Sequence, residues 1–302
     1  MVPCTTTTSL VSNYAFDSPD ADVVIIPSDA SSTAPRKLRL HSTILSLASP
    51  FFQDMFSLPQ SLLSKQGITE IPVSEPFATL ETLFRFVYPV VDPVIETLDE
   101  LGEIIETAIK YDFLATIEHL RRILVEPRFL QAYPLRVFAI AWRYEFTEEI
   151  ELAAQNTLNT DIVRDFPDHL ELSSSFALQL SVPLTDDLKY ITAHTYRRLI
   201  DLHRRRAHAA QELLKIPYDV KCPHCNGCGH AIYSAPKWWY EWQKRAKEEL
   251  ALRPSTRVIF QPEFMSQAAA AVGCPQCITS MLGSFTHLEK IKRCIDDLPC
   301  SL

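Results

Sequence analysis

Four cysteines near the C-terminus have the spacing of a metal site. They form two C-P-x-C pairs, CPHC at residues 222–225 and CPQC at residues 274–277. A C-x-x-C pair supplies two thiolates from one tight turn, and two such pairs complete a tetrahedral zinc site. The candidate ligands are Cys222, Cys225, Cys274 and Cys277.

The cysteine pattern leaves other interpretations open. The spacer between the pairs has 48 residues, against roughly 15–20 in a zinc ribbon. His224, Cys228 and His230 are spare donors nearby. Inert buried thiols fit the sequence as well as structural zinc does. A redox role needs a thioredoxin-like strand–helix context, which the flanking sequence lacks, and a DNA-binding finger needs a histidine where residues 237–239 read KWW.

No motif in the sequence indicates an enzyme. The chain has only six glycines in 302 residues, and the patterns G-K-[ST], G-x-S-x-G and H-E-x-x-H are absent. Phosphate-binding loops need several clustered glycines. His41 has no signalled base or nucleophile, so we assign it a structural role at the start of a helix. We predict a protein without catalytic activity.

Charge and hydropathy exclude further classes. The net charge is −8, which gives no basic footprint for nucleic acid, and direct nucleic-acid binding is not expected. The basic run at residues 203–206 is interpreted as a solvated helix face. No apolar stretch approaches the ~20 residues of a membrane span, and the N-terminus lacks signal-peptide features. We expect a cytoplasmic or nuclear protein that does not enter a membrane.

The predicted secondary structure of the N-terminal third of the chain begins with a β-hairpin. Two helices follow, split at Ser49-Pro50, because serine suits an N-cap and proline the first helical position. A third strand contains Pro72, which favours a sheet edge, and Ser74 or Glu75 could cap the next helix. In order, we predict strands at 21–27 and 36–40, helices between 41 and 60, a strand at 68–73, and helices at 76–88, 97–111 and 115–125.

Three residue groups within this order resemble the BTB/POZ family. They are Asp22-Val23-Val24 in the first strand, Leu40-His41 with Ile44-Leu45 and Ser49-Pro50-Phe51-Phe52, and then Met55-Phe56. The resemblance covers roughly residues 17–125. The segment SLASPFFQDMFSLPQ and the tryptophan-containing tail resemble the corresponding parts of the BTB proteins that are expanded in basidiomycete fungi.

The resemblance implies an α+β fold, a small sheet with helical hairpins, and a role in protein–protein interaction. Many family members form homodimers through the first strand and first helix, and some recruit a cullin scaffold through a hydrophobic-x-Glu element. Here that element reads Leu58-Pro59-Gln60, so glutamine replaces the acid and cullin binding is in question. The partner-binding candidates are Asp22, His41, Leu45, Phe51, Phe52, Met55, Phe56, Leu58 and Gln60.

Two alternatives stay open at these candidates. The apolar side chains between residues 44 and 58 are core, or part of them meets a partner, because a helix that is apolar nearly all round must be covered. Asp22 lies at a dimer interface, or it bonds local backbone N–H groups.

The rest of the chain reads as helical. We divide it into a disordered arm (1–16), the BTB/POZ domain (17–125), an all-helical region (128–215) and a Cys/Trp-rich helical tail (217–302). Thr147 and Thr185 are predicted N-caps, and Trp238, Trp239 and Trp242 lie on one apolar helix side.

The leading hypothesis is therefore a self-associating interaction module, with a ubiquitin-ligase substrate adaptor as its sharper version. The alternative is a transcription or chromatin regulator with a zinc-stabilised tail.

Overall fold

The computed structural model describes residues 16–29, 36–58, 68–162, 189–226 and 234–302. The chain divides into two compact units, Met1–Leu124 and Val125–Leu302. Most of the predicted disordered arm lies outside the described residues. Its last residue, Phe16, is 1% exposed and packs edge-on against Tyr88 at 5.4 Å between ring centroids.

A three-stranded sheet organises the first unit. β1 (Val23–Ile26) pairs antiparallel with β2 (Leu38–Leu40) and parallel with β3 (Thr69–Pro72), in the order β2-β1-β3. The predicted hairpin and the edge position of the proline-containing strand are confirmed. β1 is central, and its Val23, Val24 and Ile25 are buried.

Five helices complete this unit. The first two meet at Ser49, whose φ of −143° breaks the helix and whose Oγ accepts the Phe52 N–H at 3.1 Å. This confirms the predicted break and cap. The helices are α1 (Ser42–Ala48), α2 (Pro50–Ser57), α3 (Phe77–Val87), α4 (Leu98–Lys110) and α5 (Leu114–Leu124).

The cap of α3 comes from a distant residue. Asp29 Oδ1 accepts the Phe77 N–H at 3.0 Å, and Pro76 occupies the N-cap position without a side-chain bond. The prediction of Ser74 or Glu75 as the cap was wrong. The tertiary fold brings the end of the β1 loop to this helix terminus, which sequence proximity cannot show.

The second unit is helical in all its described regular elements. They are α6 (Pro127–Leu130), α7 (Pro134–Arg143), α8 (Thr147–Thr157), α9 (Ala193–Leu213), α10 (Lys237–Leu252), α11 (Pro262–Ala271), α12 (Cys277–Gly283) and α13 (Phe285–Asp296). None of the described helices is both long and apolar enough to cross a membrane.

Two predicted caps need correction. Thr147 is the first residue of α8, and Phe146 stands at its N-cap. α9 begins at Ala193 with Thr192 as its cap, whose Oγ1 accepts the Thr195 N–H at 3.1 Å. Thr185 lies outside the described residues.

The basic run on α9 is only partly solvated. Arg204 and Arg205 are exposed, but His203 and Arg206 are buried. The Arg206 guanidinium donates to the carbonyls of Pro254 at 3.1 Å and Ile295 at 2.9 Å. A helix C-terminus leaves carbonyls without partners, and Arg206 satisfies those at the end of α13. The prediction of a wholly solvated face was therefore wrong.

Tryptophans form the core of the C-terminal part of this unit. Trp238, Trp239 and Trp242 on α10 are fully buried, as are Ala246 and Leu250 along the same side. The Trp242 Nε1–H donates to the Ile259 carbonyl at 2.9 Å. The predicted apolar side of this helix is confirmed.

Candidate functional site

The two cysteine pairs meet in the second unit. Cys222 and Cys274 have their Sγ atoms 3.8 Å apart, and so do Cys225 and Cys277. All four Sγ atoms lie within 4.8 Å of one another. All four are free thiols. A spacer of 48 residues thus does not prevent the pairs from meeting.

The sulfur separations suit a four-thiolate zinc ion. A Zn–S bond of about 2.3 Å with tetrahedral angles places sulfur atoms about 3.8 Å apart. Two of the observed separations equal this value. The four cysteines could therefore hold a metal ion such as zinc.

Local hydrogen bonds shape the first pair into a turn. The Asn226 N–H donates to the Cys222 carbonyl at 3.1 Å, and the Asn226 Oδ1 accepts the Cys222 N–H at 2.5 Å. Asn226 Nδ2 also donates to the Val220 carbonyl at 3.3 Å. One asparagine therefore holds both sides of the CPHC turn. In the sequence, only the position of Asn226 directly after Cys225 pointed to this role.

The second pair stands at the start of a helix. Gly273 has a φ of +64°, a left-handed conformation that glycine adopts without strain. The Cys277 N–H then donates to the Cys274 carbonyl at 3.2 Å, and Cys277 begins α12. The turn thus presents both sulfur atoms on one side.

The N-terminus of α10 points backbone donors at the cluster. The Lys237 N–H donates to Cys225 Sγ at 3.4 Å, and the Trp238 backbone bonds to Cys277. Pro236 at the N-cap offers no side-chain bond to these groups. The first N–H groups of a helix lack internal partners and attract negative charge. These donors were missed from the sequence, since only the fold brings α10 to the cysteines.

Without a metal ion, the thiols differ in acidity. Burial raises the pKa of Cys277 and of Cys225. Burial also opposes ionisation of Cys222, but hydrogen bonds from the backbone of Cys225 and His224 outweigh it and lower the pKa of that thiol.

The spare donors divide into two groups. His224 lies at the edge of the cluster, with its Nδ1 3.5 Å from Cys274 Sγ. Cys228 and His230 lie outside the described residues. Cys294 and Cys300, the other described cysteines, are not members of the cluster.

The α1–α2 segment of the first unit contains core and surface residues in turn. Leu45 and Phe52 are at most 1% exposed, and Met55 and Phe56 are half-buried. Leu45 and Phe52 belong to the core of this unit, and Phe56 stacks on Phe52 at 5.9 Å between ring centroids. Gln60 lies outside the described residues.

Three apolar side chains of this segment reach the surface. Leu47 on α1 is 85% exposed, Phe51 on α2 is 39% exposed, and Leu58 just after α2 is 64% exposed. These three residues form the α1–α2 surface. Leu47 was not among the predicted candidates, although it lies on the face of α1 opposite Leu45.

Asp22 binds the first residue of α1, and His41 stands at the N-cap of that helix. The Asp22 carboxylate accepts the Ser42 N–H at 2.7 Å and the Ser42 Oγ–H at 2.5 Å. His41 occupies the N-cap position but makes no side-chain cap bond. Its N–H donates to Tyr88 Oη at 2.8 Å, and its Nε2 lies 3.4 Å from Asp20 Oδ1.

The pKa of Asp22 reflects these contacts. Burial is the largest single influence and opposes ionisation, but the bonds from Ser42 outweigh it and lower the pKa. The carboxylate is therefore bound by Ser42 on α1, 20 residues away in sequence, and the dimer-interface interpretation of Asp22 stays a prediction.

Comparison with known proteins agrees with this architecture. Residues 19–127 match the family model of the BTB/POZ domain. A search of curated proteins returned no match to the chain. The chain thus carries a BTB/POZ domain with a small mixed sheet, followed by a helical region and a C-terminal cysteine cluster. The predicted fold class is confirmed, and the domain indicates a role in protein–protein interaction.

Proposed function

We propose that this chain is a non-enzymatic interaction protein that self-associates through its BTB/POZ domain. In this proposal residues 17–125 form the self-associating domain. The helical region (128–215) and the tail (217–302) bind a client protein in this proposal. The exposed apolar residues of α1 and α2 are the observation that carries the proposal.

The α1–α2 surface has the composition of an interface core. Water contact with large apolar side chains costs about 25 cal/mol per Å² of apolar area, and a partner surface removes that cost. Aromatic residues are enriched at interface cores, and charged residues are depleted there. We assign a second copy of this chain as the partner at Leu47, because homodimers have the more apolar interfaces.

Co-capture of two differently tagged full-length copies tests the self-association. We expect wild-type copies to purify together, and the Leu47→Asp variant to lose at least tenfold of the captured partner. Leu114→Asp is the matched control, since Leu114 is 60% exposed in the same unit but lies on α5. Equal capture by wild type and Leu47→Asp would remove Leu47 from the interface.

A ubiquitin-ligase substrate adaptor is the sharper form of the proposal. Leu58 is exposed at the end of α2, where cullin-binding relatives carry their hydrophobic-x-Glu element. Glutamine at position 60 removes the acid from this element. Calorimetric titration with a cullin N-terminal domain at tens of micromolar decides the matter. The adaptor role predicts binding that Leu58→Asp abolishes, and an absence of heat with the wild-type chain at two well-separated temperatures excludes it, since the binding enthalpy changes with temperature.

A transcription or chromatin regulator is the second candidate, and the four-cysteine cluster favours its zinc-stabilised tail. The net charge of −8 opposes direct DNA contact, so such a regulator would act through protein partners. DNA binding at low salt that weakens steeply with added salt would support direct contact. No binding at low salt would leave only an indirect role.

A further inference from the structure

We propose that Cys222, Cys225, Cys274 and Cys277 bind one zinc ion that holds the C-terminal tail together. This inference is independent of the proposed self-association, which concerns the other unit. It rests on the sulfur geometry, on the donors around the sulfur atoms and on the burial of the cluster.

The donor set selects the metal. Four thiolates in a tetrahedral arrangement favour Zn²⁺ or iron over the hard ions Mg²⁺ and Ca²⁺, which prefer oxygen ligands. A structural zinc ion is bound by four protein ligands and leaves no open position. Four sulfur atoms within 4.8 Å of one another supply such a closed set.

The surroundings of the site offset part of its charge. Zn²⁺ binding displaces the thiol protons to solvent, transfers no electron, and leaves four thiolates with a net charge of −2 around the ion. The Lys237 N–H, 3.4 Å from Cys225 Sγ, and the Trp238 backbone at Cys277 meet this charge. Both belong to the first turn of α10, where the helix dipole favours negative charge.

The burial of the sulfur ligands favours a structural site. Cys222 and Cys277 are fully buried, Cys274 is 9% exposed, and Cys225 is partly buried. Catalytic zinc needs a position open to water or substrate. His224 is best placed as an outer neighbour, since four sulfur atoms already complete the tetrahedron without its nitrogen.

The metal would join parts of the tail that are distant in sequence. Cys222 and Cys274 are 52 residues apart. Ser280 Oγ accepts the Trp238 Nε1–H at 3.0 Å and donates to the Lys221 carbonyl at 2.8 Å. This bridge runs from α12 to α10 and to the residue before Cys222. Loss of the ion should therefore disturb the tryptophan core.

Metal analysis of the purified full-length chain tests the proposal. We expect one zinc per chain in wild type, at most a tenth of that in Cys222→Ser and in Cys277→Ser, and full zinc in the control Cys294→Ser. Cys294 is exposed and lies outside the cluster. Wild-type protein that holds no zinc, or iron instead, would overturn the proposal, and so would full zinc in both cluster variants.

A second measurement covers variants that fail to fold. Wild-type chain stripped of metal and loaded with Co²⁺ should show the visible absorption of tetrahedral Co²⁺ and an intense thiolate-to-cobalt charge-transfer band. Added Zn²⁺ should abolish both. A spectrum of octahedral Co²⁺ without the charge-transfer band would contradict a four-thiolate site.

Discussion

At the scale of single residues, Ser49 connects two parts of the BTB/POZ domain. It lies between α1 and α2, and its side chain bonds to Tyr111 at the C-terminal end of α4. Its Oγ accepts the Phe52 N–H at 3.1 Å and donates to the Tyr111 carbonyl at 2.6 Å, and the residue is fully buried. A buried hydroxyl with both bonds made is costly to remove, because its two partners lose their bonds away from water.

We predict that Ser49→Ala lowers the free energy of opening of the α1–α2 amides by about 1–3 kcal/mol. Hydrogen exchange measured by mass spectrometry on the full chain gives this value. Ser57→Ala, at the exposed end of α2, is the control and should change it by under about 0.5 kcal/mol. Equal effects of the two substitutions would deny Ser49 a special role.

Glu75 is a second residue whose contacts cross the BTB/POZ domain. Its carboxylate accepts hydrogen bonds from Lys110 Nζ and, at 2.8 Å, from Tyr111 Oη. Burial is the largest influence on the pKa of Glu75 and raises it, but these bonds and that from Ser74 together lower it. The pKa of Tyr111 is raised, first by burial and then by the carboxylate.

The lowered pKa of Glu75 gives a pH-dependent stability. The contribution is present above the unfolded pKa of about 4.3 and disappears as the pH falls through the lower folded pKa. We predict that Glu75→Gln lowers the opening free energy near the end of α4 by about 1–2 kcal/mol at neutral pH. The difference should shrink below about pH 4.

Hydrogen exchange at neutral pH and below about pH 4 measures the difference in opening free energy between wild type and Glu75→Gln. The control is Glu70→Gln, which removes an exposed pair with Lys37 at 2.9 Å and should cost under about 1 kcal/mol. A Glu75→Gln effect of the same size at both pH values would show that the carboxylate charge is not what stabilises this contact.

Residue-level prediction from sequence succeeded where the signal is local. The Ser49 cap followed from its place before Pro50, and each C-P-x-C pair was recognisable as a turn. The meeting of the two pairs across 48 residues was not a local signal, and their role as metal ligands stays a prediction. Asp29 and Arg206 could not be predicted, because their partners, Phe77 and the carbonyls at the end of α13, lie 48 and 89 or more residues away.

At the scale of elements, His203 links α9 to α8. Its Nε2 lies 3.0 Å from Thr157 Oγ1, and that hydroxyl donates to the Ala154 carbonyl at 2.6 Å. Both residues are buried. Burial lowers the pKa of His203 to about 4, with Asp161 opposing the shift. The imidazole is therefore neutral at neutral pH.

A neutral buried histidine weakens the fold on acidification. The unfolded chain takes up a proton at a pKa of about 6.5, whereas folded His203 resists it until about pH 4, so stability of the second unit falls as the pH drops through this range. We predict that His203→Gln flattens this pH dependence, and that the exposed His208→Gln leaves it unchanged.

Denaturant unfolding followed by tryptophan fluorescence measures the effect, since all four tryptophans lie in the second unit. An unchanged pH dependence in His203→Gln would mean that other groups cause it.

Apolar periodicity predicted helix positions well, whereas the predicted caps of α3, α8 and α9 were wrong and that of α2 was right. The apolar period along α4 and α10 is set by burial, so both helices could be predicted from the sequence. α9 is capped by Thr192, and the sequence alone could not distinguish it from Thr185, since threonine is an equally good N-cap residue at either position.

At the scale of the whole molecule, the chain combines a BTB/POZ domain with a helical unit that contains a cysteine cluster. The resemblance in residues 22–56 identified the domain before its geometry was known, since the family signature is dense there. The α1–α2 surface was harder to predict. An apolar helix pair in sequence does not show which side chains face the core, and the structure separates Leu45 and Phe52 from Leu47, Phe51 and Leu58.

The mass of the purified full-length chain in solution tests self-association most directly. Light scattering over a range of concentrations should give twice the chain mass of 34.4 kDa for wild type, and a mass that falls toward the monomer on dilution for Leu47→Asp. A wild-type chain that remains at 34.4 kDa at every concentration would contradict the account.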